Sequence, residues 1–253
     1  MEAFDRLIDV VRTLRGPRGC DWDRAQTPAT LRPYLLEEAY EALEAIDRGD
    51  AQATAKELGD LLFLITSIGL AHEERGAFDL SEIPKAVADK MIRRHPHVFG
   101  DAAERPLWEE TKQEERAAEG RDRSVLEGLP RALPALLRAA RVSARAASVG
   151  FDWPDRGGVR AKVDEELAEL DEALAAGAPD AIAEEFGDLL FSLVNLGRFL
   201  PVGAEDALRM GTDKFERRFR AMERALLEAG GSVSTTDPTA LDAAWEKAKE
   251  AVG

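Results

Sequence analysis

The sequence predicts an all-α fold built as tandem, duplicated helical-bundle units, and three observations carry that reading. Apolar residues recur at three- and four-residue spacing over long stretches. No segment alternates as a strand does, and no Asn-Gly or Asp-Gly turn separates alternating runs. A set of short motifs occurs twice in the same order.

The first clear helix carries Leu31, Leu35, Leu36, Ala39, Tyr40, Leu43 and Ile46 as one apolar stripe. Thr27 followed by Pro28 reads as N-cap and first helical residue, and Gly49 as a stop. A second helix covers about Ala51 to Glu74, with Leu58, Leu61, Leu62, Ile65 and Ile68 inside. The polar stretch Glu114 to Ser124 is the expected boundary, which gives units 1–120 and 121–253. Gly230 to Pro238 reads as a loop before a last short helix.

The repeats define the unit. Glu37-Glu38-x-x-Glu41 returns 128 residues later as Glu165-Glu166-x-x-Glu169, and Glu57-x-x-Asp60 returns at the same offset as Glu185-x-x-Asp188. Asp89-Lys90-x-x-Arg93-Arg94 matches Asp213-Lys214-x-x-Arg217-Arg218. Trp108 with Lys112 matches Trp245 with Lys249, and Gly19-x-Asp21-Trp22 matches Gly150-x-Asp152-Trp153.

Composition narrows the function. The 253 residues carry a net charge of −15, which repels phosphate backbones and argues against general nucleic-acid binding. A small phosphorylated ligand stays open, because a metal or a basic cluster reverses the local field. The single Cys20 excludes an internal disulfide framework and suits a reducing compartment. The longest charge-free run, about Leu61 to Ala71, falls short of the ~18 apolar residues of a membrane span. The N-terminus lacks the pattern of a signal peptide. The expectation is a soluble, cytoplasmic protein.

Within a helix Glu38 and Glu41 share a face, as do Glu37 and Glu41, and Glu57 and Asp60 lie one turn apart. If the two helices pack antiparallel across the turn Asp47 to Asp50, these acids meet. An all-oxygen donor set favours Mg²⁺ or Mn²⁺ over zinc or iron. A lone EExxE among 49 acidic residues is ordinarily a solvated face. Here the acids are not followed by Lys at i+4, Asp60 and Asp188 run directly into Leu-Leu-Phe, and the whole set is duplicated.

Lys90 with Arg94, and Lys214 with Arg218, lie four apart and present cations to one side, suited to phosphate oxygens or to surface ion pairs. Trp108 with Lys112, and Trp245 with Lys249, offer a ring for a base and a cation for a phosphate; packing is the plain alternative for the tryptophans. Neither a P-loop nor a dinucleotide fingerprint is present. His72, His95 and His97 do not stand in Glu-x-x-His, as a di-iron carboxylate bundle needs, and His95-Pro96-His97 reads as a helix end.

Glu37-Glu38-Ala39-Tyr40-Glu41 with Glu57-Leu58-Gly59-Asp60, and Glu165-Glu166-Leu167-Ala168-Glu169 with Glu185-Phe186-Gly187-Asp188, resemble the MazG family of all-α nucleoside triphosphate pyrophosphohydrolases. The downstream basic and tryptophan pairs extend the resemblance over nearly the whole chain. It implies a homodimer that hydrolyses NTPs or dNTPs to monophosphate and pyrophosphate with Mg²⁺, in clearing noncanonical or excess nucleotides. By position it implies metal ligands Glu166, Glu169, Glu185 and Asp188, and in the first half Glu38, Glu41, Glu57 and Asp60. It implies nucleotide contacts at Lys214, Arg218, Trp245 and Lys249, and at Lys90, Arg94, Trp108 and Lys112. Glu165 or Glu37 would orient or deprotonate the water that attacks the α-phosphorus.

One departure stands out. Some relatives carry a basic residue one turn before Glu-x-x-Asp, where this sequence has Ala53 and Ala181. The second half is the expected seat of turnover. Two other readings stay open: a narrower dUTP or dCTP pyrophosphatase of the same all-α group, and a non-enzymatic helical module whose acids bind basic partners. An oxidase-like di-metal bundle is disfavoured by the missing histidines.

Overall fold

The computed structural model describes residues 2–100 and 124–252. Among them are eleven α-helices and no strand. The chain divides into two compact units, residues 1–111 and 112–253. The boundary expected at 114–124 lies almost wholly outside the described residues, as do Trp108 and Lys112.

The first unit holds α1 (Glu2–Arg15), α2 (Asp21–Ala25), α3 (Pro28–Asp47), α4 (Ala51–Glu73), α5 (Glu82–Arg94) and α6 (Pro96–Phe99). The second holds α7 (Ala135–Ala147), α8 (Arg156–Ala176), α9 (Pro179–Gly197), α10 (Ala204–Glu228) and α11 (Pro238–Val252). In each unit a hairpin of two long helices is the main packing: α3 on α4, and α8 on α9. An earlier helix of each unit, α1 or α7, leans on the second member of its hairpin.

Local chemistry sets the hairpin ends. The Thr27 side chain accepts from the Thr30 amide, and the Thr30 hydroxyl accepts from the Thr27 amide, closing a capping box ahead of Pro28. Thr27→Ala is expected to lower the stability of the first unit by about 1 kcal/mol in urea unfolding. Gly49 takes φ +67°, which a side chain rarely adopts, and Asp50 then caps α4 by accepting from the Gln52 and Ala53 amides. In the second unit Asp155 caps α8, which ends at left-handed Gly177. The two glycines of the Gly-x-Asp-Trp repeat have different reasons. A Cβ on Gly19 would sit 2.0 Å from the Leu14 carbonyl oxygen, whereas Gly150 has free space and needs its φ of +87°.

The expected apolar stripe of α3 is divided. Leu31 is buried, yet Leu36, Tyr40, Leu43 and Ile46 are exposed. The residues α3 buries deeper in the hairpin are Ala42 and Ala45. On α4 the expected inner residues Leu58, Leu62 and Ile65 are likewise exposed, and the buried set is Glu57, Leu64, Thr66, Ser67, Gly69, Leu70 and Ala71. These helices are apolar on more than one side. Small residues such as Ala42 and Ala45 let the hairpin close, Leu31, Leu64 and Leu70 are buried with them, and the other large residues stay exposed as a second apolar face.

Candidate metal and phosphate site

The hairpin delivers the acids as spacing requires. Carboxylate oxygens of Glu38, Glu41 and Glu57 lie within 4.8 Å of one another in the first unit, and those of Glu166, Glu185 and Asp188 do so in the second. Each trio draws from both helices of its hairpin, and each has one buried member: Glu57 at 9% exposure and Glu166 at 5%. These two are not equivalents in the repeat, since Glu57 sits on the second helix of its hairpin and Glu166 on the first. Asp60 and Glu169 fall outside the trios, although both belong to the expected ligand sets. Of the Glu-x-x-Asp faces that run into Leu-Leu-Phe, Glu57 is buried and Asp60 half-buried in the first unit, and Glu185 is half-buried and Asp188 exposed in the second.

The electrostatics follow. Burial, then the charges of Asp60, Glu41 and Glu57, push the Glu38 carboxyl above its usual 4.5. Burial, then Glu169, Glu166, Glu184 and Asp188, does the same to Glu185. Negative charge is therefore concentrated beyond what the side chains balance, and the donors are all hard oxygens. That set fits a divalent cation of the oxygen-loving kind.

The acids are not followed by Lys at i+4, yet one acid in each unit is preceded by Lys at that spacing. Lys56 lies 3.0 Å from Glu57 and 3.6 Å from Asp60. Lys162 lies 2.8 Å from both Glu165 and Glu166, and these carboxylates hold its ammonium protonated well above the usual lysine range. The signal was present as Lys56–Asp60 and Lys162–Glu166, both i,i+4 pairs.

The cationic pairs lie on other helices of each unit. Lys90 and Arg94 lie at the end of α5 and are half-buried. Lys214 and Arg218 lie on α10, which packs against α11 with its Trp245 and Lys249. The Trp245 ring meets Phe215 at 5.2 Å, so this tryptophan does pack, directly beside Lys214 in sequence. Lys249 pairs with Glu246. No hydrogen bond or ion pair joins Lys214, Arg218, Trp245 or Lys249 to the acidic trio among the described residues. Arg218 Nε is buried without a hydrogen-bond partner, a donor left for an anion. Glu37 and Glu165 are exposed at the rim, and Glu165 is engaged by Lys162. Ala53 is half-buried one turn before Glu57, so no cation comes from that position.

With that geometry in view, comparison with known proteins decides the family. The model of the MazG nucleotide pyrophosphohydrolase domain matches twice, over residues 26–99 and 158–222. The chain belongs to the MazG family. The two matches cover the two acidic hairpins, and the second extends through Lys214 and Arg218. The chain is 46% identical over 250 residues to the nucleoside triphosphate pyrophosphohydrolase/pyrophosphatase MazG of Thermotoga maritima, covering 97% of this chain and 95% of that one. It is 44% identical over 258 residues to a nucleoside triphosphate pyrophosphohydrolase of Escherichia coli strain K12, covering 98% of each. It is also 39% identical over 255 residues to a Bacillus subtilis protein described as uncharacterized, YabN, covering 98% of this chain and 52% of that protein. No helix among the described residues is long and apolar enough to cross a membrane.

Proposed function

We propose that this chain hydrolyses nucleoside triphosphates, ribo- or deoxyribo-, to the monophosphate and pyrophosphate, with Mg²⁺ as cofactor and Mn²⁺ as substitute. The observation that carries the reading is the carboxylate trio at the hairpin of each unit, in a chain of the MazG family. Free nucleotides of a cytoplasmic pool are the substrate rather than nucleic acid or a membrane surface.

When bound, the cation neutralises phosphate charge and makes water a better nucleophile. Glu166, Glu169, Glu185 and Asp188 hold it in the second unit, and Glu38, Glu41, Glu57 and Asp60 in the first. Lys214 and Arg218, with Lys249, hold phosphate oxygens, and Trp245 shields the nucleoside side. Lys90, Arg94, Trp108 and Lys112 take these roles in the first unit. Glu165, or Glu37, accepts a proton from the attacking water. The water oxygen bonds to the α-phosphorus, the bond from that phosphorus to the bridging oxygen breaks, and pyrophosphate leaves with the electron pair. Lys162 serves as a resident counter-ion, giving up Glu166 while keeping Glu165.

Incubation with a panel of NTPs and dNTPs, with and without Mg²⁺, tests the reaction. Monophosphate plus pyrophosphate, only with metal, is the expected product pair. Diphosphate plus orthophosphate would show the bond assignment to be wrong, and turnover confined to one pyrimidine would mark a narrower enzyme. A pH series adds a sign. Glu38 and Glu185 carry raised pKa values, so they protonate earlier than ordinary carboxylates as pH falls. Apparent metal affinity is therefore expected to weaken at a pH above the usual 4.5 of Glu, checked by titrating the metal requirement at several pH values.

We further infer that the chain works as a homodimer. Leu36, Tyr40, Leu43, Leu58, Leu62 and Ile65 are exposed on the first hairpin, and Phe186, Leu190 and Leu193 on α9 of the second. A two-helix layer with such faces needs a second layer to complete a bundle, and a second copy supplies one. Light scattering is expected to give twice the chain mass, and Leu62→Asp with Leu190→Asp to halve it.

A further inference from the structure

Position 56 sets the two acidic clusters apart. Lys56 and Glu184 are equivalents in the repeat, 128 residues apart and each directly before the first acid of Glu-x-x-Asp. In the first unit the Lys56 ammonium lies 3.0 and 3.1 Å from the two oxygens of buried Glu57. It also reaches Asp60, and Asp60 is absent from that unit's trio. In the second unit the same position carries a carboxylate, and Asp188 is part of the trio. The lysine of the second unit comes from the other helix, and its two partners are Glu165 and Glu166. Glu165 lies outside the trio, so Lys162 keeps a partner when Glu166 is taken. Both partners of Lys56 are residues that the metal reading needs.

We propose that Lys56 competes with the divalent cation for Glu57 and Asp60, so that the first unit fills only at metal concentrations above those that fill the second. This rests on the reading of both clusters as metal sites. An ammonium lying on both oxygens of a carboxylate must move before a cation can use them, and it then stays near as a repelling charge. The Lys56 side chain is 69% exposed, so it can swing into water, and solvent weakens the repulsion. The expected difference between the units is accordingly about tenfold in affinity rather than thousandfold. A chain so built answers rising metal in two steps.

The test is a Mn²⁺ titration of the full chain, with free Mn²⁺ followed by electron paramagnetic resonance and pyrophosphate release measured on the same samples. Wild type is expected to show two classes of sites, equal in number and about tenfold apart. Glu57→Gln should remove the weak class alone. Lys56→Glu should draw the weak class toward the tight one, Lys56→Gln should do so by a smaller factor, and Glu184→Lys should weaken the tight class. A single class in wild type, or a weak class unmoved by both Lys56 variants, overturns the proposal; intact Mn²⁺ binding and pyrophosphate release would then leave the metal-site reading standing. Absence of saturable binding together with absence of release overturns both.

Discussion

A chain carrying Asp60→Asn and Asp188→Asn together loses metal-dependent pyrophosphate release by on the order of 10²- to 10³-fold, while its helix content stays unchanged. Asn keeps the volume and polarity of Asp, so the change removes charge and little else. Asp188 is exposed and Asp60 half-buried, and neither contributes to the packed interior of its hairpin. What is lost is the negative charge of a donor within 4.8 Å of Glu166 and Glu185, and in the first unit that of the acid whose charge acts on Glu38 across the hairpin. Losing a charged donor weakens cation binding, and a site without its cation cannot offset the charge of a triphosphate. The check is product release at saturating Mg²⁺ beside a far-ultraviolet circular dichroism spectrum. The single variants then apportion turnover between the units. A double variant with wild-type turnover would place the chemistry elsewhere.

The largest expected effect on stability comes from Arg15→Ala. The Arg15 guanidinium is buried, with 5% of its side chain exposed, and binds both carboxylate oxygens of Glu74 at 2.8 and 2.7 Å. It also donates to the carbonyls of Asp23 and Gln26, tying α1 to the end of α2 and to α4. Removing it leaves two backbone acceptors short of a donor. The Glu74 side chain is 50% exposed and recovers water, so the cost falls below that of a fully buried pair. About 2 kcal/mol is expected, read from the urea midpoint of the first unit's transition. The pH dependence has a sign. Arg15 lowers the Glu74 pKa, so its contribution is present above the ordinary carboxylate range and is lost as pH falls through the lowered folded value. In Arg15→Ala that acid-side loss should be smaller.

Much of this was written in local chemistry. Thr27-Pro28 begins a helix and Gly49-Asp50 turns it because capping and positive φ depend on a few neighbouring residues. The acids could be assigned to shared faces because one helical turn is short and regular, and their duplication gave the same pattern twice. The cations on the acids were less legible. Lys56 and Lys162 stood in sequence at i,i+4 spacing, but only side-chain placement shows one lying on Glu57 and Asp60 and the other split between Glu165 and Glu166.

Sequence alone specified an all-α chain of two repeated units, the helix pairs that make each hairpin, and the larger sets of acids from which each converging trio is drawn. Periodicity, caps and repeats are properties of neighbours along the chain, and they survive without knowing what lies across the fold. Tertiary structure decided which side of each helix is inside, because α3 and α4 carry apolar residues on more than one side. Close approach selected the small ones, Ala42 and Ala45, and left Leu36, Leu43 and Leu62 outward. It also decided which acid is buried: Glu57 on the second helix of the first unit, Glu166 on the first helix of the second. Burial depends on how closely two surfaces pack, and a repeat in sequence does not fix that distance.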